Sequence, residues 1–408
     1  MKVVPVDTRR PTILQIIPRL DTGGAELSTI EITEAVVRAG GRAIVLSEGG
    51  RMSGRIAAAG GTLVAFPAAS KSPLVMAQNA RRIAALVRAE GVGLIHARSR
   101  APAWSAFAAA RRTGTPFVTT YHGAYGETNP LKRLYNSVMA RSDVVIANSQ
   151  FTAELVMRRY GTRPDRIAVV HRGVDIGRFD PACVDPSRVA ALRRQWGVAD
   201  HQRIAIHVAR LTGWKGQSVV IDAAERLRAA GALADTVLVL AGDAQGRDDY
   251  ALNLRRQADA TGLADAVRFP GHVDDVPAAF LAAHVAIVAS TEPEAFGRAA
   301  TEAQAMGCPV IATRIGAPPE TVLAEPACSA ETATGWLVPP GDATALAAAL
   351  AKALAQSDGA QMRMGARGRA HVLRNFTLAD MQRGTLAVYD RLLGTELAVR
   401  LGTPVRAQ

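Results

Sequence analysis

The sequence predicts an α/β protein built from two parallel sheets, each covered by helices. At 408 residues the chain exceeds one ordinary hydrophobic core, so two domains are expected. In both halves short apolar runs alternate with Ala-rich helical stretches, which is the pattern of consecutive βαβ units and hence of a parallel sheet. The final stretch, 376–393, has helical periodicity and no strand after it.

In the first half, apolar runs predict strands at 12–17, 42–46, 94–97, 117–120, 144–147 and 167–170. A Gly23-Gly24 turn follows the first strand and leads into a helix over about 25–39. The segment 173–188 breaks the rhythm with two prolines and two glycines, which predicts a linker. We therefore expect a first domain over 1–180.

The second half repeats the alternation. Strands are predicted at 204–208, 236–240, 267–269, 284–289, 310–312 and 335–338, and a helix over 298–306 directly follows the fourth of them. This predicts a second domain over 181–375 and a C-terminal helical segment over 376–408.

The composition argues against a membrane-spanning, secreted, disulfide-rich or zinc-binding protein. No run reaches the roughly 18 apolar residues of a membrane helix, and the N-terminus lacks the apolar region of a signal peptide. Cys183, Cys308 and Cys328 are odd in number and lack CxxC spacing, which argues against a disulfide framework or a zinc site. These features predict a cytoplasmic protein.

The net charge of +12 is concentrated in the first half. Residues 1–180 carry 25 Lys and Arg against 13 Asp and Glu, whereas residues 181–408 carry 23 of each kind. A positive field confined to one domain favours an anionic partner such as a membrane surface, a phospholipid-linked acceptor or nucleic acid. An evenly solvated basic surface is the alternative.

The most informative segment is 291–310, where Glu294 and Glu302 stand on either side of Gly297. A strand that feeds a helix through a glycine presents free N–H groups that suit a phosphate. Carboxylates accept hydrogen bonds from pairs of hydroxyl groups, so sugar and ribose are natural partners. The pattern favours a nucleotide diphosphate sugar, although strand-to-helix turns with Gly and Glu also occur without ligands.

Arg210 and Lys215 follow the strand 204–208 directly. Two cations on one loop at a strand end are placed to neutralise a diphosphate, although solvated surface cations would look the same. The chain offers no D-x-D triplet, and the pairs at 248–249 and 274–275 need not converge on one ion. No metal and no other cofactor is therefore expected.

One turn and two histidines in the first half are further candidates. Gly23, Gly24 and Glu26 form the turn after the first strand, which does not have the G-x-G-x-x-G pattern of dinucleotide-binding oxidoreductases. His122 follows the strand 117–120 and precedes a glycine. His96, at another strand end, is a weaker candidate for an acceptor site.

The segment 291–310 resembles the E-x7-E signature of retaining glycosyltransferases of family 4, which have the GT-B fold. The matching residues are Glu294, Phe296, Gly297, Glu302, Ala303, Ala305, Gly307, Pro309 and Val310. The stretch 209–216 resembles the family's G-R-L-x-x-x-K-G motif, with Ala209 in place of the usual glycine. The 23–26 turn resembles its G-G-A-E loop, and the resemblance covers almost the whole chain.

This resemblance implies two Rossmann-like domains whose parallel sheets face each other across a cleft, with a C-terminal helix that crosses back to the first domain. It implies transfer of a sugar from a nucleotide diphosphate to an acceptor hydroxyl with retention of configuration. Arg210, Lys215 and the helix start at Phe296, Gly297 and Arg298 would stabilise the leaving diphosphate. Glu294 would bind the sugar hydroxyls, Glu302 the ribose, Gly271 and Val273 the base, and His122 the sugar near the bond that breaks. The loop with Gly23, Gly24 and Glu26 would close over the donor phosphates and the acceptor.

By analogy with bacterial members, the resemblance implies a role in lipopolysaccharide, exopolysaccharide or glycolipid synthesis on a lipid- or glycan-linked acceptor. An amphipathic helix over 129–142, with Lys132, Arg133, Tyr135 and Met139, could rest on an anionic membrane. Nucleic acid is then not expected as a partner. A phosphorylase or nucleotide-sugar epimerase of the same fold, or a non-catalytic nucleotide-sugar-binding subunit, are the alternatives. The donor, the acceptor, the linkage and the oligomeric state stay open.

Overall fold

The computed structural model describes residues 7–21, 23–233 and 235–402. The chain divides into two compact units. The first unit contains the chain up to Gly173 together with the part from Leu378 onward, and the second unit is Val174–Thr377. Each unit contains its own sheet, and every strand pair in both sheets is parallel.

The first unit has a seven-stranded sheet of order β3-β2-β1-β4-β5-β6-β7. Its strands are β1 (Thr12–Ile16), β2 (Arg42–Ser47), β3 (Thr62–Ala65), β4 (Val92–Ala97), β5 (Phe117–Tyr121), β6 (Val144–Ala147) and β7 (Ile167–Val169). Its helices are α1 (Gly24–Arg38), α2 (Ser53–Ala58), α3 (Pro73–Ala89), α4 (Arg100–Thr113), α5 (Pro130–Asn136), α6 (Gln150–Tyr160), α15 (Leu378–Leu393) and α16 (Leu397–Leu401).

The second unit has a six-stranded sheet of order β10-β9-β8-β11-β12-β13. Its strands are β8 (Arg203–Val208), β9 (Thr236–Ala241), β10 (Val267–Gly271), β11 (Val285–Val288), β12 (Val310–Thr313) and β13 (Gly335–Val338). Its helices are α7 (Pro186–Gln195), α8 (Gln217–Ala229), α9 (Asp248–Ala260), α10 (Val276–Leu281), α11 (Arg298–Ala305), α12 (Pro318–Thr321), α13 (Ala343–Leu354) and α14 (Asp358–Asn375).

Both sheets are covered on two faces. In the first unit α3, α4 and α6 pack on one face, while α1, α15 and α16 cover the other. In the second unit α7, α10, α11 and α14 cover one face, and α8, α9 and α13 cover the other. Burial on both faces explains why the strands are continuous apolar runs rather than alternating ones. The predicted α/β class with two parallel sheets is confirmed.

The C-terminal helix belongs to the first unit because it completes that unit's core. Tyr389 and Leu386 of α15 are fully buried and pack with Leu94, Val118 and Ile146 of the sheet. After α15, the chain turns into α16, whose first N–H groups at Leu397 and Ala398 donate to the Asp390 carboxylate at 2.7 and 2.8 Å.

The chain passes from the first unit to the second at Gly173–Val174, at the start of the segment 173–188 predicted as a linker, but the residues that follow are packed on the second unit. Val174, Phe179 and Val184 are buried in the core of the second unit, and the Val174 N–H donates to the Phe376 carbonyl at 2.8 Å. The prolines and glycines occur in this segment because the chain turns sharply while it packs on the core. One of these turns is a 3₁₀ turn at Pro181–Cys183.

The amphipathic helix predicted over 129–142 is also corrected. The α-helix α5 ends at Asn136 and a 3₁₀ turn follows over Ser137–Ala140. Met139 is fully buried in the core of the first unit, whereas Lys132 and Arg133 are exposed. The change of helix type turns Met139 inward, so it is not part of a surface.

Candidate active site

The strand order of the second unit predicts where a ligand binds. In the second unit the strand order reverses between β8 and β11, which are neighbours although two strands and three α-helices lie between them in sequence. Loops that leave the carboxyl ends of such strands diverge to opposite faces, and the crevice between them is where open α/β sheets bind ligands. The loop after β8 carries Arg210 and Lys215, and the loop after β11 carries Glu294.

An ion pair joins these two loops. The Lys215 ammonium donates to Glu294 Oε1, and the Ser290 hydroxyl donates to the same oxygen at 2.6 Å. The side chains are 17% and 10% exposed, so the pair is largely shielded from water but still reachable from the edge of the sheet. A carboxylate with one oxygen already bonded and one still available can accept from a ligand hydroxyl.

Lys215 is held in place by its neighbours. It ends a 3₁₀ turn at Gly213–Lys215, and its ammonium lies 4.2 Å from the centre of the Trp214 ring. The Thr291 N–H donates to the Trp214 carbonyl at 2.8 Å, which ties the loop after β11 to the loop after β8. Gly216 has φ +74° and packs where a Cβ would collide with the Ala289 carbonyl, so the loops approach this closely only with glycine there.

Arg210 differs from Lys215 in its freedom. Its side chain is exposed, and no hydrogen bond or ion pair of its guanidinium occurs in the described part of the chain. Its backbone is fixed, because Gln217 Nε2 donates to the Arg210 carbonyl at 2.9 Å and the Tyr250 hydroxyl donates to Gln217 Oε1 at 3.2 Å. A free guanidinium on an anchored backbone is available for an anionic ligand.

The loop that carries Glu294 is clamped by Gly316. The two residues form an isolated parallel bridge, and the Ala317 N–H donates to the Glu294 carbonyl at 2.9 Å. Gly316 has φ +81°, and a Cβ at this position would collide with the backbone N and O of Glu294. The lack of a side chain at Gly316 therefore allows the backbone of Glu294 to pack directly against it.

The helix α11 begins directly after Gly297. Gly297 is its N-cap with φ +81° and, as a glycine, makes no side-chain cap hydrogen bond. Glu302 accepts from Arg298 Nε at 3.1 Å and Nη2 at 2.8 Å. Phe296 points away from solvent, is 3% exposed, and packs edge-on against Phe376, so only its backbone could meet a ligand.

The predicted base-binding segment lies at the end of β10. Gly271 has φ +77° with open space where a Cβ would be, and Val273 is buried in the core. The backbone of this segment, rather than the Val273 side chain, is what the geometry offers to a ligand.

In the first unit, Gly23 and Gly24 begin α1, and Glu26 lies in its first turn. A Cβ on Gly23 would collide with the Glu26 carboxylate, and one on Gly24 would lie 2.9 Å from Arg172 Nη1. Both glycines thus make room for charged side chains. His122, after β5, is half-buried, and its Nδ1 lies 2.6 Å from Arg172 Nη2.

His96, the weaker acceptor-side candidate, is a structural residue. It is fully buried, with Nδ1 2.6 Å from the Tyr389 hydroxyl and Nε2 2.7 Å from the Thr120 hydroxyl. Both ring nitrogens are satisfied within the core. Burial, and to a lesser degree Arg98, holds the pKa of His96 well below 6.5, so the ring is neutral.

Several residues that support the candidate site residues could not be predicted, or were not predicted, from the sequence. Arg172, Ser290 and Gly316 hold His122 and Glu294 in place, yet none of them belongs to a recognised sequence motif. Ser290 could have been found, since it directly follows the strand run 284–289. Arg172 could not, because its partners lie 148, 144 and 50 positions away.

Two features are absent from the described ranges. No helix there combines the length and the apolar character needed to cross a bilayer. No group of three or more His, Cys, Asp or Glu side chains within those ranges is arranged to hold a metal ion.

Comparison with known proteins gives two family matches. Residues 22–178 match the model described as Glycosyltransferase Family 4, and residues 189–371 match the model described as Glycosyl transferases group 1. Together these models span both units.

Relatives and solved structures agree with these models. D-inositol 3-phosphate glycosyltransferase of Salinispora tropica is 33% identical over 330 residues, covering 75% of this chain and 66% of that protein. The chain spans about half to two thirds of the length of the first such relatives. A glycosyltransferase from Rickettsia africae has a TM-score of 0.85 and 31% identity, covering 95% of this chain and 100% of that chain.

HepE from Anabaena, solved in complex with UDP-glucose, has a TM-score of 0.78 and 25% identity, covering 93% of this chain and 99% of that one. The family models, the Rickettsia structure and the two parallel-sheet units agree with one another. This chain belongs to glycosyltransferase family 4 and has the GT-B fold, with two Rossmann-like domains.

Proposed function

We propose that this glycosyltransferase moves a sugar from a nucleotide diphosphate to an acceptor hydroxyl with retention of configuration and without a bound metal. The observation that carries the proposal is the Lys215–Glu294–Ser290 cluster at the carboxyl ends of β8 and β11, with the exposed Arg210 guanidinium on the same loop as Lys215. HepE, which has been solved with UDP-glucose, shares the fold at 25% identity and supports a nucleotide sugar as donor.

The proposed chemistry is electrostatic. The bond between the sugar C1 and the diphosphate oxygen breaks, a bond from C1 to the acceptor oxygen forms on the same face, and the acceptor proton passes to the departing phosphate. No side-chain nucleophile is needed, so stabilisation of the leaving diphosphate is the main catalytic contribution. Arg210 and Lys215 supply two positive charges, and the start of α11, whose N-cap is a glycine, is assigned to the phosphates as a set of backbone donors.

Glu294 gives the site its sugar specificity in this proposal. Its carboxylate is oriented by Ser290 and Lys215, and its backbone by Gly316, so a sugar hydroxyl meets a preorganised acceptor. Glu302, paired with Arg298, is assigned to the ribose hydroxyls, and the backbone at Gly271 to the base.

Turnover and stereochemistry test the proposal. Purified protein is screened by thermal shift against UDP-, GDP- and ADP-sugars, since a ligand of the folded state raises the melting temperature. With the donor so identified, Glu294→Gln and Arg210→Ala should each lower kcat/KM by roughly 10² or more, as expected for loss of a group aimed at the transition state. Glu225→Gln and Arg226→Ala, both exposed on α8, are the matched controls and should change kcat/KM little.

The same assay separates the alternatives. Inversion at C1 in the product, detected by NMR, would refute retention, and activity abolished by EDTA and restored by Mg²⁺ or Mn²⁺ would refute metal independence. Sugar transfer to free phosphate would indicate a phosphorylase, and interconversion of the donor without acceptor an epimerase. Tight donor binding without turnover under any acceptor would indicate a binding subunit.

We further propose that the enzyme works on a lipid- or glycan-linked acceptor at the inner face of the membrane, in lipopolysaccharide, exopolysaccharide or glycolipid synthesis. The helices α3, α4 and α5 contain no Asp or Glu. Their exposed cations are Arg81, Arg82, Arg88, Arg111, Arg112, Lys132 and Arg133. Leu74, Leu131 and Leu134 are 84%, 78% and 53% exposed on α3 and α5.

These helices are neighbours in the first unit. α3 packs along α4, and Trp104 Nε1 of α4 donates to the Tyr135 carbonyl of α5 at 3.0 Å. Basic side chains with exposed leucines between them suit an anionic lipid surface, where each cation contributes on the order of 1 kcal/mol.

Vesicle sedimentation tests this part. Vesicles with anionic lipid should bind the protein at low salt and release it as salt rises, whereas purely zwitterionic vesicles should not bind it. Lys132→Glu/Arg133→Glu and Leu131→Ser/Leu134→Ser should each weaken binding. Arg255→Glu/Arg256→Glu on α9 of the other unit is the matched control. No binding to anionic vesicles at low salt would refute a membrane site.

A further inference from the structure

Arg172 connects two loops of the first unit that both carry proposed site residues. It follows β7, an edge strand, and is 6% exposed. Its Nη1 donates to the Gly24 carbonyl and to the Ser28 hydroxyl at 2.7 Å, both in the first turns of α1. Its Nη2 lies 2.6 Å from His122 Nδ1, in the loop after β5.

The chemistry of the guanidinium fixes the state of His122. A guanidinium has only donors, so His122 Nδ1 must be the acceptor of this hydrogen bond. A neutral imidazole that accepts at Nδ1 carries its proton at Nε2. His122 Nε2 is buried and has no hydrogen-bond partner in the described ranges, so its N–H is an unused donor.

The surroundings favour the neutral ring. Burial lowers the pKa of His122 well below 6.5, and the nearby Arg172, Arg98 and His96 act in the same direction. Arg98 is itself buried, with its Nε donating to Gln15 Oε1 at 2.8 Å. A second proton on His122 would therefore have to be placed among buried positive charges.

We propose that Arg172 is a positioning residue that locks His122 as an Nε2–H hydrogen-bond donor and couples it to the Gly23-Gly24 loop. This inference rests on the proposed function and on the role that the family resemblance implies for His122, which is contact with the sugar near the bond that breaks. Locked in this way, His122 donates to a sugar oxygen of the bound substrate. It does not take the acceptor proton, because Nε2 already carries one.

Gly24 has a steric part in this arrangement. A Cβ there would lie 2.9 Å from Arg172 Nη1, inside normal contact distance, so a side chain at position 24 would displace the guanidinium. Because Gly24 has no side chain, the Arg172 guanidinium fits beside it. Arg172 in turn holds both the start of α1 and His122 in position.

The test is an NMR spectrum of protein labelled with ¹⁵N-histidine, in which His122→Gln identifies the His122 signals. The wild-type protein should show the Nε2–H tautomer at neutral pH and no protonation of His122 around pH 6.5. Arg172→Met should give a mixture of tautomers and a raised pKa for His122. Arg172→Lys, which keeps a charge and one donor, should restore part of the wild-type behaviour. Arg163→Gln, an exposed surface arginine, is the control and should leave the His122 signals unchanged.

Kinetics provide the second readout. Arg172→Met should lower kcat roughly tenfold to hundredfold, with a smaller change in KM for the donor, because His122 is misplaced rather than removed. If His122 in the wild type is the Nδ1–H tautomer or is protonated at pH 7, the proposal is overturned. It is also overturned if Arg172→Met, folded by circular dichroism, leaves the His122 signals unchanged.

The two proposals fail separately. The spectrum does not depend on turnover, so the Nε2–H tautomer in a protein that transfers no sugar would refute the proposed reaction and leave the role of Arg172 intact. If Arg172→Met does not fold, the wild-type spectrum together with Gly24→Ala, which displaces the same guanidinium, decides the question.

Discussion

At the scale of single residues, the Lys215–Glu294 pair is both a stabilising contact and a proposed part of the site. Both side chains are more than four-fifths buried, and a buried charge left alone is more costly than the intact pair. We predict that Lys215→Met lowers the free energy of unfolding by about 3 kcal/mol. The double variant Lys215→Met/Glu294→Gln should recover most of this loss, because no unpaired charge then remains.

Urea unfolding followed by tryptophan fluorescence measures this, since Trp196, Trp214 and Trp336 lie in the second unit. Lys352→Met, at an exposed lysine of α13, should cost little and is the control. A double variant as unstable as the single one would show that the unpaired carboxylate is not the cause.

A second residue-scale prediction concerns Gly316. Gly316→Ala requires a Cβ where the backbone of Glu294 lies, and it places alanine at φ +81°. We predict a loss of kcat/KM of about tenfold or more, because even a small displacement of a positioned group is costly. Gly341→Ala, at φ +74° with open space around the Cβ, has the same backbone strain without the collision and should keep near wild-type kcat/KM. Equal losses in both variants would contradict the clamp.

The sequence predicts the residues at strand ends better than the residues that support them. Glu294, Lys215 and Arg210 lie in the loops that follow two predicted strands, so the parallel topology brings their loops to the carboxyl ends of neighbouring strands. Arg172 and Gly316 act through contacts between distant segments, and no local pattern encodes such contacts. Met139 was misplaced for a related reason, since a change from α- to 3₁₀-helix is decided by packing rather than by periodicity.

At the scale of elements, the sequence predicts every strand of the two described sheets except β3. β3, Thr62–Ala65, is a four-residue edge strand whose first and last residues are exposed, so its apolar run is too short to be recognised. The turns of the segment 173–188 predict a linker, although Val174, Phe179 and Val184 within it pack in the core of the second unit.

The helix α15 supports an element-scale prediction. The Tyr389 hydroxyl bonds to His96 Nδ1 in the core of the first unit, and both residues are fully buried. Tyr389→Phe leaves a buried ring nitrogen without its partner, which should cost about 1–3 kcal/mol. Calorimetry should therefore show a lower melting temperature for Tyr389→Phe. Arg391→Gln, on the exposed side of α15, should melt as the wild type does. An unchanged melting temperature for Tyr389→Phe would mean that the hydrogen bond does not anchor the helix.

At the scale of the whole molecule, charge is divided between the units rather than spread over the chain. The sequence up to 173 and from 378 carries 28 Lys and Arg against 14 Asp and Glu, while residues 174–377 carry 20 against 22. The C-terminal segment adds to the basic unit, so the asymmetry found along the sequence is retained in the fold. This supports a partner with negative charge at the first unit and a balanced surface around the proposed donor site.

Buried histidines give the molecule a predicted pH dependence. Burial lowers the pKa of His207 to about 3, with Lys215 acting in the same direction. The pKa values of His96, His122, His284 and His371 are also lowered, in each case chiefly by burial. In the unfolded chain these rings take up protons near pH 6.5, whereas in the folded protein they stay neutral. The unfolded state thus binds more protons below pH 6.5, and the free energy of unfolding must fall as the pH falls.

Each such histidine contributes a slope of up to about 1.4 kcal/mol per pH unit between its two pKa values. We therefore predict that the melting temperature drops steadily from pH 7 to pH 5, and that His207→Gln makes the drop shallower because one titrating ring is removed. His201→Gln, at an exposed histidine, should leave the slope as in the wild type. Scanning calorimetry across this range measures both. A melting temperature independent of pH from 7 to 5, or an unaltered slope in His207→Gln, would show that these rings are not held neutral by burial.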